Sequence, residues 1–175
     1  MELFETILKR HSYRGTFLDK KIPEEDLRKI VQAGIDAPTG CNAQSVSFVI
    51  VNDPAIIQAI AKETGGKQVC KTAQAMIICV CDKTPAYGNL SFFVEDCAAA
   101  TQNMLLAITA IGYATVWIDG AIRGAVAAKI AEILSVPKDK EVRILLPLGV
   151  PEKQGKPNTK KSFEQRAWFN CYGAN

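Results

Sequence analysis

The chain has 175 residues, about one domain's worth, and 48% of them are hydrophobic, an ordinary share for a packed core. Its 21 basic and 18 acidic residues leave a net charge of +3, too balanced for a protein that coats nucleic acid, though a small anion remains a fitting partner. The opening Met1-Glu2-Leu3-Phe4-Glu5 has no signal-peptide character, so the six cysteines read as reduced thiols of a cytoplasmic protein and not as a disulfide framework.

A first amphipathic helix is expected from about Glu2 to Lys9. It runs into Lys9-Arg10-His11-Ser12-Tyr13-Arg14-Gly15, where forked guanidinium donors, a hydroxyl and turn N–H groups gather within seven residues. That set matches a terminal phosphate better than a planar carboxylate; it also matches a solvated basic helix end, because cations there complement the helix dipole. A second helix begins at Pro23, with Glu24, Glu25 and Asp26 in its first turn and Leu27, Ile30, Val31 and Ile35 as its buried stripe, and it stops before Pro38. The following loop carries Thr39, Asn42 and Gln44. Their amides offer both donor and acceptor, which suits the pyrimidine edge of a flavin ring and equally suits plain turn chemistry. Cys41 in the same loop is either a small loop residue or a reactive thiol.

Strands are expected at Val46 to Val51, Ala75 to Cys81, Ala114 to Ile118 and Glu141 to Val150, the last interrupted by Pro147. Their β-branched runs predict a sheet buried on both faces, covered by helices at about Pro54 to Thr64, Phe92 to Ile111 and Ala125 to Leu134. The result is a three-layer α/β/α sandwich. Cys97 to Ile118 carries no charge, yet Gln102, Asn103 and Gly112-Tyr113 divide it into a buried helix and a buried strand, so no membrane span is expected. No CxxC pair or histidine ligand neighbours Cys79, Cys81 or Cys97, and no metal site is expected. From about 151 to 175 the chain is a polar tail without periodicity, but it holds Phe163, Trp168, Phe169 and Tyr172. Four aromatics need burial, either on their own domain or around a second subunit.

The segments Lys9 to Phe17 ("KRHSYRGTF"), Ala37 to Val51 ("APTGCNAQSVSFVIV"), Asp96 to Gly120 ("DCAAATQNMLLAITAIGYATVWIDG") and Leu145 to Gln165 ("LLPLGVPEKQGKPNTKKSFEQ") together resemble the FMN-dependent nitroreductases in their short form. They match, in order, the family's phosphate motif, its A-P-S-x-x-N-x-Q segment, its central helix with the flavin-contacting turn, and its final strand with basic tail. The resemblance spans nearly the whole chain, as one domain over residues 1–175, and implies an α+β fold with a mainly antiparallel central sheet. It also implies a homodimer with an FMN at each of two interface sites, the tail wrapping the partner.

Carried over by position, Arg10, His11, Ser12 and Arg14 would hold the phosphate and ribityl side. Pro38, Thr39, Asn42 and Gln44 would lie around the flavin, some from the partner chain. Asp119 and Gly120 match the turn whose backbone N–H meets flavin N5, and Lys160, or the adjacent Lys161, aligns with a phosphate-binding arginine of the tail. Four positions depart from the pattern: Ser45-Val46 stands for Pro-Trp, His11 for an arginine and Lys160 for an arginine. A lysine there is a point charge without bidentate geometry. Lys67 is available for a cationic flavin contact, and Tyr87, Phe92 and Phe93 fall in the family's variable active-site segment. The implied chemistry is ping-pong hydride transfer from NADH or NADPH through FMN to a small electron-poor acceptor such as a nitroaromatic or quinone, with no catalytic side chain. The alternatives are a flavin store or redox sensor, or a reductive dehalogenase or ene-type reductase on the same fold.

Overall fold

The computed structural model describes residues 1–83 and 85–173 of the chain. Strands β1 (Val46–Val51), β2 (Ala75–Asp82), β3 (Ala114–Thr115) and β4 (Lys140–Gly149) form one sheet in the order β1-β2-β4-β3, and every neighbouring pair is antiparallel. Helices α1 (Leu3–Lys9), α2 (Glu24–Ile35), α3 (Pro54–Glu63), α4 (Gln68–Lys71), α5 (Phe93–Ala110) and α6 (Ala125–Ile133) complete the fold. The α+β architecture and the antiparallel sheet agree with the expectation from sequence.

The alternation of β2 explains why both faces are covered. Met76, Ile78 and Val80 pack with α3, α4 and α6 residues such as Ile57, Ile60, Val69, Cys70 and Ile130. Ala75, Ile77, Cys79 and Cys81 point the other way, against Leu27, Ile30, Met104, Leu105 and Ile108 of α2 and α5. In β4 a bulge lies opposite Cys79 and Val80, which pair with Ile144 and Val142, so Arg143 is the extra residue. Val142 therefore faces the α3/α6 layer while Ile144, Leu146 and Leu148 face the α2/α5 layer.

Three differences from the sequence reading, in the third strand, in β1 and in α4, have physical causes. The third strand is only Ala114–Thr115, because the chain leaves the ladder after two residues and touches β4 again only through an Ile118–Leu145 bridge. Strand β1 is an edge, so it is not buried on both faces and leaves Ser47 and Ile50 exposed. The short α4 was not foreseen, since four residues after Gly65 and Gly66 show no helical period. The tail aromatics do not join the core: Phe163, Phe169 and Tyr172 are 61%, 78% and 89% exposed, and they pair with one another and with Trp168. Helix α1 likewise leaves Leu3, Phe4, Ile7 and Leu8 exposed. Among the described residues no helix is long and apolar enough to cross a membrane.

Candidate functional site

The turn after α1 is pinned by alternate residues. Tyr13 and Phe17 are buried with ring centroids 5.2 Å apart, whereas Ser12 and Arg14, on either side of Tyr13, are exposed. The Tyr13 N–H donates to the Thr115 carbonyl at 2.8 Å, the Leu18 N–H to Val150 at 2.9 Å, and the Glu152 N–H to Thr16 at 3.0 Å. A Cβ at Gly149 would stand 2.7 Å from the Phe17 ring, so only glycine lets this turn lie flat on the end of β4. The polar residues of the turn are thereby held out at the Gly149 end of that strand.

Two cavities meet at Arg14. One, of about 440 Å³, is lined by His11 to Thr16 and by Glu152 to Lys156. The other, of about 490 Å³, is lined by Arg14, Lys67, Gln68, Val69 and by Val116 to Ala121, which include Asp119 and Gly120. Arg14 Nη1 donates only to the Ser12 carbonyl, at 3.4 Å, and no ion pair holds the Arg10 or Arg14 guanidinium among the described residues. His11 donates from Nδ1 to the Lys9 carbonyl at 3.0 Å, which leaves Nε2 as a buried nitrogen without a partner. That ring lies so close to Gly155 that a Cβ there would collide with it. Asp119 is neutralised locally, with both carboxylate oxygens within 2.7 Å of Arg123 Nη2. The first cavity thus presents the cations Arg14, Lys153 and Lys156 to an anion, and the second presents an apolar wall rimmed by Arg14 and Lys67.

The loop before β1 stands elsewhere. Gln44 lines a separate cleft with Lys140, at the far end of β4 from the turn described above. Gly40 lies against the start of α5, where a Cβ would collide with the Phe92 ring. Nine steps of a strand span roughly 30 Å, so Pro38, Thr39, Asn42 and Gln44 are separated from Arg10, His11, Ser12 and Arg14 by about the length of β4. Cys41, Asn42 and Gln44 all adopt positive φ, near 50°, a conformation L residues avoid. Lys160 and Lys161 are exposed and line neither cavity; the tail cations that do are Lys153 and Lys156. Sequence reasoning missed those two, although they stand in the same basic stretch. It also missed Gln68, which carries no signal, and Val69 and Trp117, for which only the apolar pattern gave one.

The buried cysteines offer no nucleophile. The Cys97 contact and then burial push the Cys81 thiol up, the Cys79 contact pushes Cys97 up, and burial pushes Cys70 up, so these thiols stay protonated near neutral pH. Among the described residues no cluster of His, Cys, Asp and Glu could hold a metal ion.

A model of the nitroreductase family matches residues 7–84 and 63–150. An Archaeoglobus fulgidus protein, provisionally named an NADH dehydrogenase/NAD(P)H nitroreductase, is 30% identical over 154 residues, 87% of each chain. An NADPH-dependent oxidoreductase of Staphylococcus haemolyticus is 27% identical over 99% of this chain and 75% of its own. Among solved structures, the NADPH:FMN oxidoreductase of Vibrio harveyi, complexed with NAD+, superposes with a TM-score of 0.85 at 25% identity, covering 99% of this chain and 79% of that one.

Proposed function

The chain belongs to the nitroreductase family, and from that premise we propose that it is an FMN-dependent oxidoreductase working as a homodimer, with each flavin site built from two chains. Family membership carries NAD(P)H-dependent oxidoreductase chemistry; the flavin, the acceptor and the pairing are the proposal. The observation that carries it is the pair of cavities meeting at Arg14, one cationic and one apolar.

The residues fit the cofactor. Ser12 and Arg14 suit a phosphate, with Arg10 adjoining the cavity lining in sequence and Lys153 and Lys156 across the groove adding point charges. Lys160, in the exposed tail, remains a candidate for the same phosphate. The wall from Val116 to Ala121 suits an aromatic ring system, with the Asp119–Gly120 turn at its edge and Lys67 at its rim. Bound FMN would supply a hydride acceptor and donor at its N5 atom, serving NAD(P)H and a small electron-poor acceptor, a nitroaromatic or quinone, in turn. Arg14 would place a permanent charge between phosphate and ring. The 119–120 turn would offer backbone N–H groups at the ring edge. Tyr87, exposed beside Leu90, and Phe92 and Phe93, which lie with Gly40 toward the Lys140 end of β4, would border the substrate space at the partner's flavin.

The pairing follows from distance. One FMN cannot reach from the Gly149 end of β4 to the Lys140 end, so Pro38, Thr39, Asn42 and Gln44 would serve the partner's flavin. The exposed apolar face of α1 and the self-paired tail aromatics supply surface for that contact. The purified protein is expected to be yellow, to run near twice 19.0 kDa, and to bleach anaerobically with NADH or NADPH before a quinone restores its colour. A clean monomer carrying stoichiometric FMN would overturn the shared site. Bleaching by dithionite but by neither nicotinamide would make the protein a flavin store or sensor. Fractionation should find it in the cytoplasm.

A further inference from the structure

Asp96 is the charged residue in the buried polar set of the described residues, at 3% exposure, and no cation neutralises it. It lies in the first turn of α5, where the helix dipole favours an anion. Its two oxygens take two donors from one loop: the Gly40 N–H at 2.7 Å on Oδ1 and the Ser45 hydroxyl at 2.7 Å on Oδ2. These donors bracket Cys41, Asn42 and Gln44, the residues at positive φ. Phe92, one helical turn earlier, packs against Gly40 too closely to admit a Cβ. A buried carboxylate left unpaired is costly, so the carboxylate and the loop conformation hold each other in place.

We propose that Asp96 is a positioning residue for the ring end of the flavin site, setting the loop of Thr39, Asn42 and Gln44 in the conformation that meets the partner subunit's flavin. The inference rests on the shared-site reading and adds to it the means by which the loop is shaped. Asn42 and Gln44 are exposed and carry no side-chain hydrogen bond of their own among the described residues. Their direction is set by the backbone, and the backbone is bent into a disfavoured region between two anchors on one carboxylate. Ser45 belongs to this arrangement because its hydroxyl supplies the second anchor, a role that proline, the family's usual residue there, has no donor to fill.

The test compares Asp96→Ala, Asp96→Asn and Ser45→Ala for affinity to FMN and to riboflavin, with the circular dichroism of the bound ring as the spectroscopic signature. Asp96→Ala should loosen FMN and riboflavin by the same factor, about tenfold, and alter the dichroism. Asp96→Asn should restore both, since its oxygen still accepts from Gly40 and its amide donates to the Ser45 hydroxyl. Ser45→Ala, which leaves the buried carboxylate and the fold in place, should fall between them and decides the matter if Asp96→Ala does not fold. Unchanged affinities and dichroism in Ser45→Ala and Asp96→Ala would make Asp96 a fold residue only. Wild-type protein that takes up neither flavin would overturn the flavin reading and this role together, whereas wild-type binding with silent variants overturns this role alone.

Discussion

Replacing Arg10 by alanine is expected to weaken FMN by about one to two orders of magnitude while leaving riboflavin nearly untouched. Arg10 ends α1 through its backbone N–H, which donates to the Thr6 carbonyl; the residue is half-buried, and its guanidinium has no ion pair among the described residues. The guanidinium spends nothing on holding the fold, so its loss should appear at the ligand. A charge-assisted hydrogen bond contributes roughly 1.5–3 kcal/mol, which fixes the range of the effect. The two ligands differ only by the phosphate, so fluorescence titration with each isolates that contact. Equal weakening of both would mean that Arg10 acts through the turn from His11 to Phe17, and the phosphate assignment would fail.

Arg14→Ala is expected to lower the midpoint potential of the bound flavin by about 20–65 mV, the equivalent of roughly 1–3 kcal/mol for two electrons. Arg14 lines both cavities, and its one side-chain hydrogen bond among the described residues is the long contact to Ser12. It is therefore free to stand toward the ring. Two-electron reduction adds negative charge at the N1–C2 edge near neutral pH, and a permanent cation there favours the reduced state. Dye equilibration under anaerobic conditions measures the shift. A variant that loses FMN affinity while riboflavin affinity and the potential stay constant would instead make Arg14 a second phosphate ligand.

Much of this was legible in the chain because local pattern and tertiary role coincide. The continuous apolar runs of β2 and β4 announce strands covered on both faces, and Pro54 after Asp53 announces the start of α3, where the Asp53 carboxylate accepts from the Ala55 N–H at 2.7 Å. The Arg10 to Arg14 cluster could be read because its members are neighbours in sequence. Lys153 and Lys156 could not, since only folding brings them to Arg14 and His11, and a lone lysine in a loop carries no signal of what it faces. Nothing beside Asp96 in the sequence sets it apart; the bonds that hold it come from Gly40 and Ser45, 56 and 51 residues earlier. Nor does sequence give the length of β4 as a separation between two sets of candidate residues, and the tail aromatics revealed only by their exposure that their own domain does not cover them.

The length of β4 also decides how damage is inherited between subunits. In the paired arrangement each site takes its phosphate turn from one chain and its ring loop from the other, so a lesion at Arg10 and a lesion at Asp96 carried on different chains fall in the same site. The second site of that mixed dimer then receives an intact turn and an intact loop. Two chains, each crippled at both sites when paired with itself, would together rebuild one whole site in two, an intersubunit complementation that a site confined to one subunit cannot show.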